Sequence, residues 1–146
     1  MAARRTAKAV WEHDLLHGQG RVQGTSGALP ETRVSWAART EESGGKTSPE
    51  ELLAAAHASC YCMALSATLG RAQHPPEHLE VTAVCTFDKV GDGWGVTTME
   101  LSVVGKVPGV DAAQFTEAAQ TASTSCPISR ALKGNVEVRL VSAKLA

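Results

Sequence analysis

The stretch Ser48-Pro49-Glu50-Glu51-Leu52-Leu53-Ala54-Ala55-Ala56-His57-Ala58-Ser59-Cys60-Tyr61-Cys62-Met63-Ala64-Leu65-Ser66-Ala67-Thr68-Leu69-Gly70-Arg71 decides the fold. Ser48 has the side chain of a helix N-cap. Pro49 suits the first helical position, and Glu51 completes a capping box. Gly70 supplies the stop. The spacing therefore predicts one long central helix. Leu52 to Gly70 carries no Asp, Glu, Lys or Arg, and that length approaches the ~20 apolar residues of a membrane span. The run is dominated by small residues and contains His57, so its drive into lipid is weak. A helix that is small or apolar on every side is instead a buried helix, and its surface calls for a second chain to help cover it.

Strand patterns flank this helix. Upstream, Arg5 to Glu12 alternates with Ala7, Ala9 and Trp11 on one side. His17-Gly18-Gln19-Gly20 and Thr25-Ser26-Gly27 are turn signals, Arg33 to Ala38 is a further strand candidate, and Glu41 to Lys46 is a loop. Downstream, His74-Pro75-Pro76 breaks the chain. Leu79, Val81, Ala83, Cys85 and Phe87 then share one face of a strand, and Val90-Gly91-Asp92-Gly93 turns it back through Val96 to Val104. Asp111 caps a second helix reaching about Lys133, with a break at Pro127. Val136, Val138 and Leu140 alternate in a last strand. The order is α+β: antiparallel strands around two central helices, in a single domain covering residues 1–146.

Composition narrows the function classes. The chain has 146 residues, 43% hydrophobic and 20% charged, which is ordinary for a globular protein. With 14 basic and 15 acidic residues the net charge is −1, so no basic field draws it to nucleic acid or anionic lipid. The start, Met1-Ala-Ala-Arg-Arg-Thr-Ala-Lys, is followed by no apolar signal region, which implies a cytoplasmic, reducing setting. There the four cysteines read as chemistry, metal or core rather than as a disulfide framework.

Cys60 lies mid-helix. Cys126 precedes Pro127, which cannot continue a helix and starts a new one, placing Cys126 at an N-cap-like position beside unpaired N–H groups that favour a thiolate. Both thiols are read either as reactive groups or as inert core. Cys85 reads as core. Cys62 points away from Cys60, about 200° around the helix. His57 shares the face of Cys60 and reads as a packed or hydrogen-bonded histidine, with a base role as the sharper alternative. His57, Cys60 and Cys62 lack the second ligand cluster that structural zinc needs. Arg39 ends the apolar run Val34 to Ala38, and Glu50 occupies the first turn of the long helix. Each is a solvated end residue or one half of an ion pair beside a thiolate.

The block Thr47 to Cys60, with Cys126-Pro127-Ile128-Ser129, Trp11-Glu12 and Val107-Pro108-Gly109-Val110-Asp111, resembles the OsmC/Ohr family. These are the osmotically inducible protein C and organic hydroperoxide resistance proteins. The run Ala56-His57-Ala58 and Arg39 are similar to the OsmC branch. The resemblance implies intertwined homodimers with sheets wrapped around central helices. It implies thiol peroxidases that reduce organic hydroperoxides and, more weakly, hydrogen peroxide. It makes Cys60 the peroxidatic and Cys126 the resolving cysteine, with Glu50 and Arg39 beside them. The early turn His17 to Gly20 has no arginine; Arg21 is the weaker substitute. The reductant implied is a dithiol, such as a dihydrolipoyl group carried on another protein, and no metal, flavin or haem is needed. A general thiol–disulfide oxidoreductase and a non-enzymatic dimeric binding or structural protein are the rival readings. Glu50 and Cys60 are ten residues apart, about 15 Å along a straight helix. Either the helix breaks between them, for which no Gly or Pro supplies a cause, or one chain's Glu50 serves the other chain's Cys60, which is the expectation.

Overall fold

The computed structural model describes residues 1–146. The chain divides into two compact units, Met1–Leu52 and Leu53–Ala146.

The first unit is a three-stranded antiparallel sheet with a short helix. Strands β1 (Ala7–Glu12), β2 (Gln19–Gly24) and β3 (Thr32–Val34) lie in the order β1-β2-β3. Trp11 pairs with Gly20 across β1 and β2. A Cβ on Gly20 would sit 2.7 Å from the Trp11 ring and 2.9 Å from Val34. Gly20 is therefore a strand residue that lets the indole lie across it, rather than part of the turn. All of β1 is exposed. The strand expected over Arg33 to Ala38 stops at Val34 and gives way to helix α1 (Trp36–Thr40). The reason is local: the Ser35 hydroxyl accepts the Ala38 N–H at 3.1 Å and caps a helix. The Thr47 N–H donates to the Arg33 carbonyl at 2.9 Å, which ties the following loop to β3.

Helix α2 (Pro49–Arg71) starts where the caps place it. The Glu51 N–H donates to the Ser48 hydroxyl at 3.1 Å. The second half of the expected box is absent: the Glu51 carboxylate instead accepts from the Thr47 hydroxyl at 2.6 Å. The helix also passes Gly70. It closes at Gln73, whose φ of 66° and N–H to the Gly70 carbonyl make the left-handed stop.

The second unit holds the rest of α2, the hairpin β4 (His78–Val90) and β5 (Gly93–Lys106), helices α3 (Ala112–Ser125) and α4 (Pro127–Leu132), and strand β6 (Glu137–Leu145). The sheet order is β4-β5-β6. The α+β class holds, with one correction to the strand directions: β6 runs parallel to β5. The α3–α4 segment carries the chain back across the sheet, so the strand it feeds must point the same way as the one it left. Met99, Leu101 and Val103 alternate inward along β5. Leu101 and Val103 meet Tyr61, Leu65, Leu69, Phe115, Ala119 and Ala122 in the core. His57, Tyr61, Leu65 and Leu69 recur every four residues and are buried. The far side of α2, with Ala55, Ala56, Ser59, Met63, Ser66 and Ala67, is exposed.

Candidate functional site

Two constellations stand out, one in each unit. In the second, Cys126 closes α3 and opens α4. Its N–H donates to the Ala122 carbonyl at 2.9 Å, while its own carbonyl accepts from Arg130 at 3.0 Å. The break at Pro127 thus turns the chain so that the Cys126 thiol faces α2. The Cys126 Sγ–H donates to Cys60 Sγ at 3.3 Å. Both sulfurs are free thiols; Cys60 is partly accessible and Cys126 fully buried.

The electrostatics differ from the sequence expectation. Cys126 is the N-cap of α4, yet its side chain makes no capping bond. The free N–H at the start of α4 serves the other thiol: the Ile128 backbone donates to the Cys60 sulfur. Burial pushes the Cys60 thiol up, and neighbouring Cys126 adds to the rise, while the Ile128 hydrogen bond opposes it.

Two hydrogen bonds frame the thiol pair. The Tyr61 hydroxyl donates to the Ala119 carbonyl at 2.8 Å, tying α2 to α3, and burial holds that phenol neutral. His57 Nε2 lies 2.7 Å from the Ser129 hydroxyl. His57 is fully buried, burial lowers its basicity, and its Nδ1 has no hydrogen-bond partner. It is a buried, hydrogen-bonded histidine, as its helix position suggested. Ser129 and the Ile128 N–H were missed by sequence reading. The signal available was spacing: Ser129 follows Cys126 by three residues, as Cys60 follows His57. Cys62 receives the Val81 backbone N–H, and burial raises its thiol. Cys85 is half-buried on the inward side of β4 rather than deep in the core. No three His, Cys, Asp or Glu side chains converge as metal ligands would.

In the first unit, Arg39 lies at the end of α1 and Glu50 in the first turn of α2. Arg39 Nη2 donates to Glu50 Oε1 at 2.8 Å, and Nε donates to both carboxylate oxygens at 3.0 and 3.1 Å. The Glu50 side chain is 8% exposed and that of Arg39 30%. The Trp36 ring lies 5.9 Å from the guanidinium carbon. Trp11, Leu15, Val34, Ser35, Trp36, Arg39 and Pro49 line a cavity of about 290 Å³. Arg21 is elsewhere, half-exposed and within 3.9 Å of Glu12 and 3.8 Å of Glu31. Of the two arginine candidates, only Arg39 meets Glu50.

The family model described as OsmC-like protein matches residues 42–141. Over 136 residues the chain is 39% identical to the peroxiredoxin OsmC of Escherichia coli (strain K12), covering 93% of this chain and 94% of that one. The chain belongs to the OsmC-like family. It is also 29% identical, over 86% of its length and 87% of the relative's, to an organic hydroperoxide resistance protein of Xanthomonas axonopodis pv. citri. Among solved structures it is similar to an organic hydroperoxide resistance protein from Elizabethkingia anophelis, with a TM-score of 0.73 and 26% identity over 100% of this chain and 99% of that one. The OsmC-like match takes in Glu50, Cys60 and Cys126; Arg39 lies just upstream of it.

Proposed function

We propose that this chain is a cysteine-based peroxidase that reduces organic hydroperoxides and, more weakly, hydrogen peroxide. The observation that carries the reading is the thiol pair: two free sulfurs 3.3 Å apart, one partly accessible and one fully buried. Cys60 is the sulfur a substrate reaches. Its thiolate attacks the distal peroxide oxygen, the O–O bond breaks, and the alkoxide leaves and is protonated to the alcohol. Cys60 is then a sulfenic acid. Cys126, out of reach of bulk solvent, attacks that sulfur; water leaves and a Cys60–Cys126 disulfide forms. An external dithiol reduces it by exchange. A dihydrolipoyl group on a carrier protein is the reductant we propose, acting in the cytoplasm.

Arg39, its guanidinium oriented by Glu50, supplies the positive charge that favours a thiolate at Cys60 and stabilises the charge developing on the leaving oxygen. We place this pair in the partner's site. The reading is supported by the ten-residue spacing of Glu50 and Cys60 on an unbroken helix and by the apolar surface each unit leaves uncovered. Leu15 is 54%, Leu16 68% and Met63 68% exposed. Helix α2 is long and apolar enough by length and composition to cross a membrane, yet only 22% of its most apolar window is buried within the chain. A second copy of this chain is the cover we propose.

The test is peroxide consumption with dihydrolipoamide, comparing tert-butyl hydroperoxide, a fatty-acid hydroperoxide and hydrogen peroxide. Turnover is expected to be fastest with the organic peroxides. Cys60→Ser abolishes it, and Cys126→Ser leaves a sulfenic acid that is not recycled. Wild-type turnover in Cys60→Ser, or no turnover by the unsubstituted protein, overturns the assignment.

A further inference from the structure

We infer that His57 and Ser129 form a positioning latch that holds the start of α4 against α2, and thereby sets how readily Cys126 closes on an oxidised Cys60. The inference rests on the reading of Cys60 and Cys126 as the redox pair.

The geometry is a pair of parallel cross-links between the same two segments. His57 is three residues before Cys60 on α2 and Ser129 three residues after Cys126 on α4, so each member sits one turn from a thiol. One cross-link is the sulfur contact of 3.3 Å, the other the imidazole–hydroxyl bond of 2.7 Å. The α4 segment needs such a tie. It is six residues long, its N-cap side chain makes no capping bond, and Pro127 brings no N–H. Yet two of its groups converge on the Cys60 sulfur, the Cys126 thiol and the Ile128 N–H. A small swing of α4 would weaken both.

The pair is also poorly explained by stability. His57 reaches neither water nor a second partner: it is 0% accessible, and Nδ1 is buried without a hydrogen bond. A half-satisfied buried imidazole is less favourable than apolar residues of the same shape. What it provides is direction. The bond fixes the rotation of Ser129, which an apolar contact would leave free to slide.

The test uses the full-length protein, oxidised with one equivalent of tert-butyl hydroperoxide in the presence of dimedone, which traps sulfenic acid. Mass spectrometry reads the ratio of trapped Cys60 to Cys60–Cys126 disulfide. Titration against a dithiothreitol redox buffer reads the disulfide equilibrium. In Ser129→Ala and His57→Ala the trapped fraction relative to disulfide is expected to rise by about tenfold, the size of one buried hydrogen bond to a rigid partner. Ser129→Thr, which keeps the hydroxyl, is expected to restore the unsubstituted ratio. Ser129→Ala removes one oxygen from a residue 6% exposed, so it serves as the informative variant if His57→Ala fails to fold. Unchanged partition and equilibrium in folded Ser129→Ala overturn the latch while leaving the redox pair intact. An unsubstituted protein that forms no Cys60–Cys126 disulfide overturns the redox-pair reading and the latch with it. A purely structural role would lower thermal stability without moving the ratio in the folded protein, and that outcome also overturns the latch.

Discussion

Oxidising the thiol pair is expected to stabilise the fold, and the structure supplies the magnitude. Cys60 and Cys126 are 66 residues apart in sequence and their sulfurs already touch at 3.3 Å. Joining them shortens that contact by only on the order of 1 Å, so native-state strain is small. In the chain-entropy picture, a cross-link across a loop of this length restricts the unfolded ensemble by about 4 kcal/mol at 25 °C. Measured gains usually fall below such a ceiling, so about 2–4 kcal/mol is expected. For a chain of this size that corresponds to a rise in Tm of roughly 5–15 °C. The assay is thermal or urea unfolding of the dithiol and disulfide forms at one fixed protein concentration, since association adds its own stabilisation. Cys126→Ser, treated identically, is the control and should show no oxidation-linked gain. A disulfide form that melts at or below the dithiol form would refute the reasoning: closing the pair would then distort α4 or α2 by more than the cross-link contributes.

Other perturbations have equally definite outcomes. Glu50→Ala and Cys60→Ser chains refolded together should regain peroxidase activity from one of the two sites of the heterodimer. No recovery in verified heterodimers would refute the partner-supplied Arg39–Glu50 pair. Burial lowers the His57 pKa below its ordinary 6.5, so the unfolded chain binds more protons than the folded one in weak acid. His57 therefore contributes full stability above pH 6.5, lost as pH falls through and below that value, by at most about 1.4 kcal/mol per pH unit. Urea midpoints between pH 7 and 5 should fall less steeply in His57→Gln; an equal slope would refute the assignment. At Gly105 a Cβ would lie 2.6–2.7 Å from the Phe115 ring and 3.1 Å from Leu79. Gly105→Ala should therefore cost about 1–3 kcal/mol by overpacking, and an unchanged urea midpoint would show that the ring yields freely.

Much of the architecture was legible because its signals are local. Ser48 and Pro49 start α2, Asp111 caps α3 with Gln114 in a reciprocal box, and Gly91-Asp92 turns the β4–β5 hairpin. Each is a short-range hydrogen bond or backbone preference that a few neighbouring residues suffice to specify. The misreadings occurred where two local signals compete. Val34-Ser35-Trp36-Ala37-Ala38 has strand-like apolar content, but the Ser35 hydroxyl captures the Ala38 N–H and a helix wins. Glu51 was a fair capping-box partner until the Thr47 hydroxyl lay closer.

The site divides along the same line. The sequence alone named the candidate side chains, because a thiol at Cys60, a thiol before Pro127, an arginine at 39 and a carboxylate at 50 are matters of residue type and spacing. The family followed from the same blocks. Only the tertiary structure decided how they are coupled. It turned the α4 N–H from Cys126 onto Cys60, paired Arg39 rather than Arg21 with Glu50, set β6 parallel to β5, and joined His57 to Ser129 across 72 residues. Apart from the Arg39–Glu50 pair, whose residues are 11 apart, these outcomes depend on contacts between segments far apart in the chain. Their geometry is set by how α2, α3 and α4 pack on the sheet, and no local pattern of residues encodes that packing.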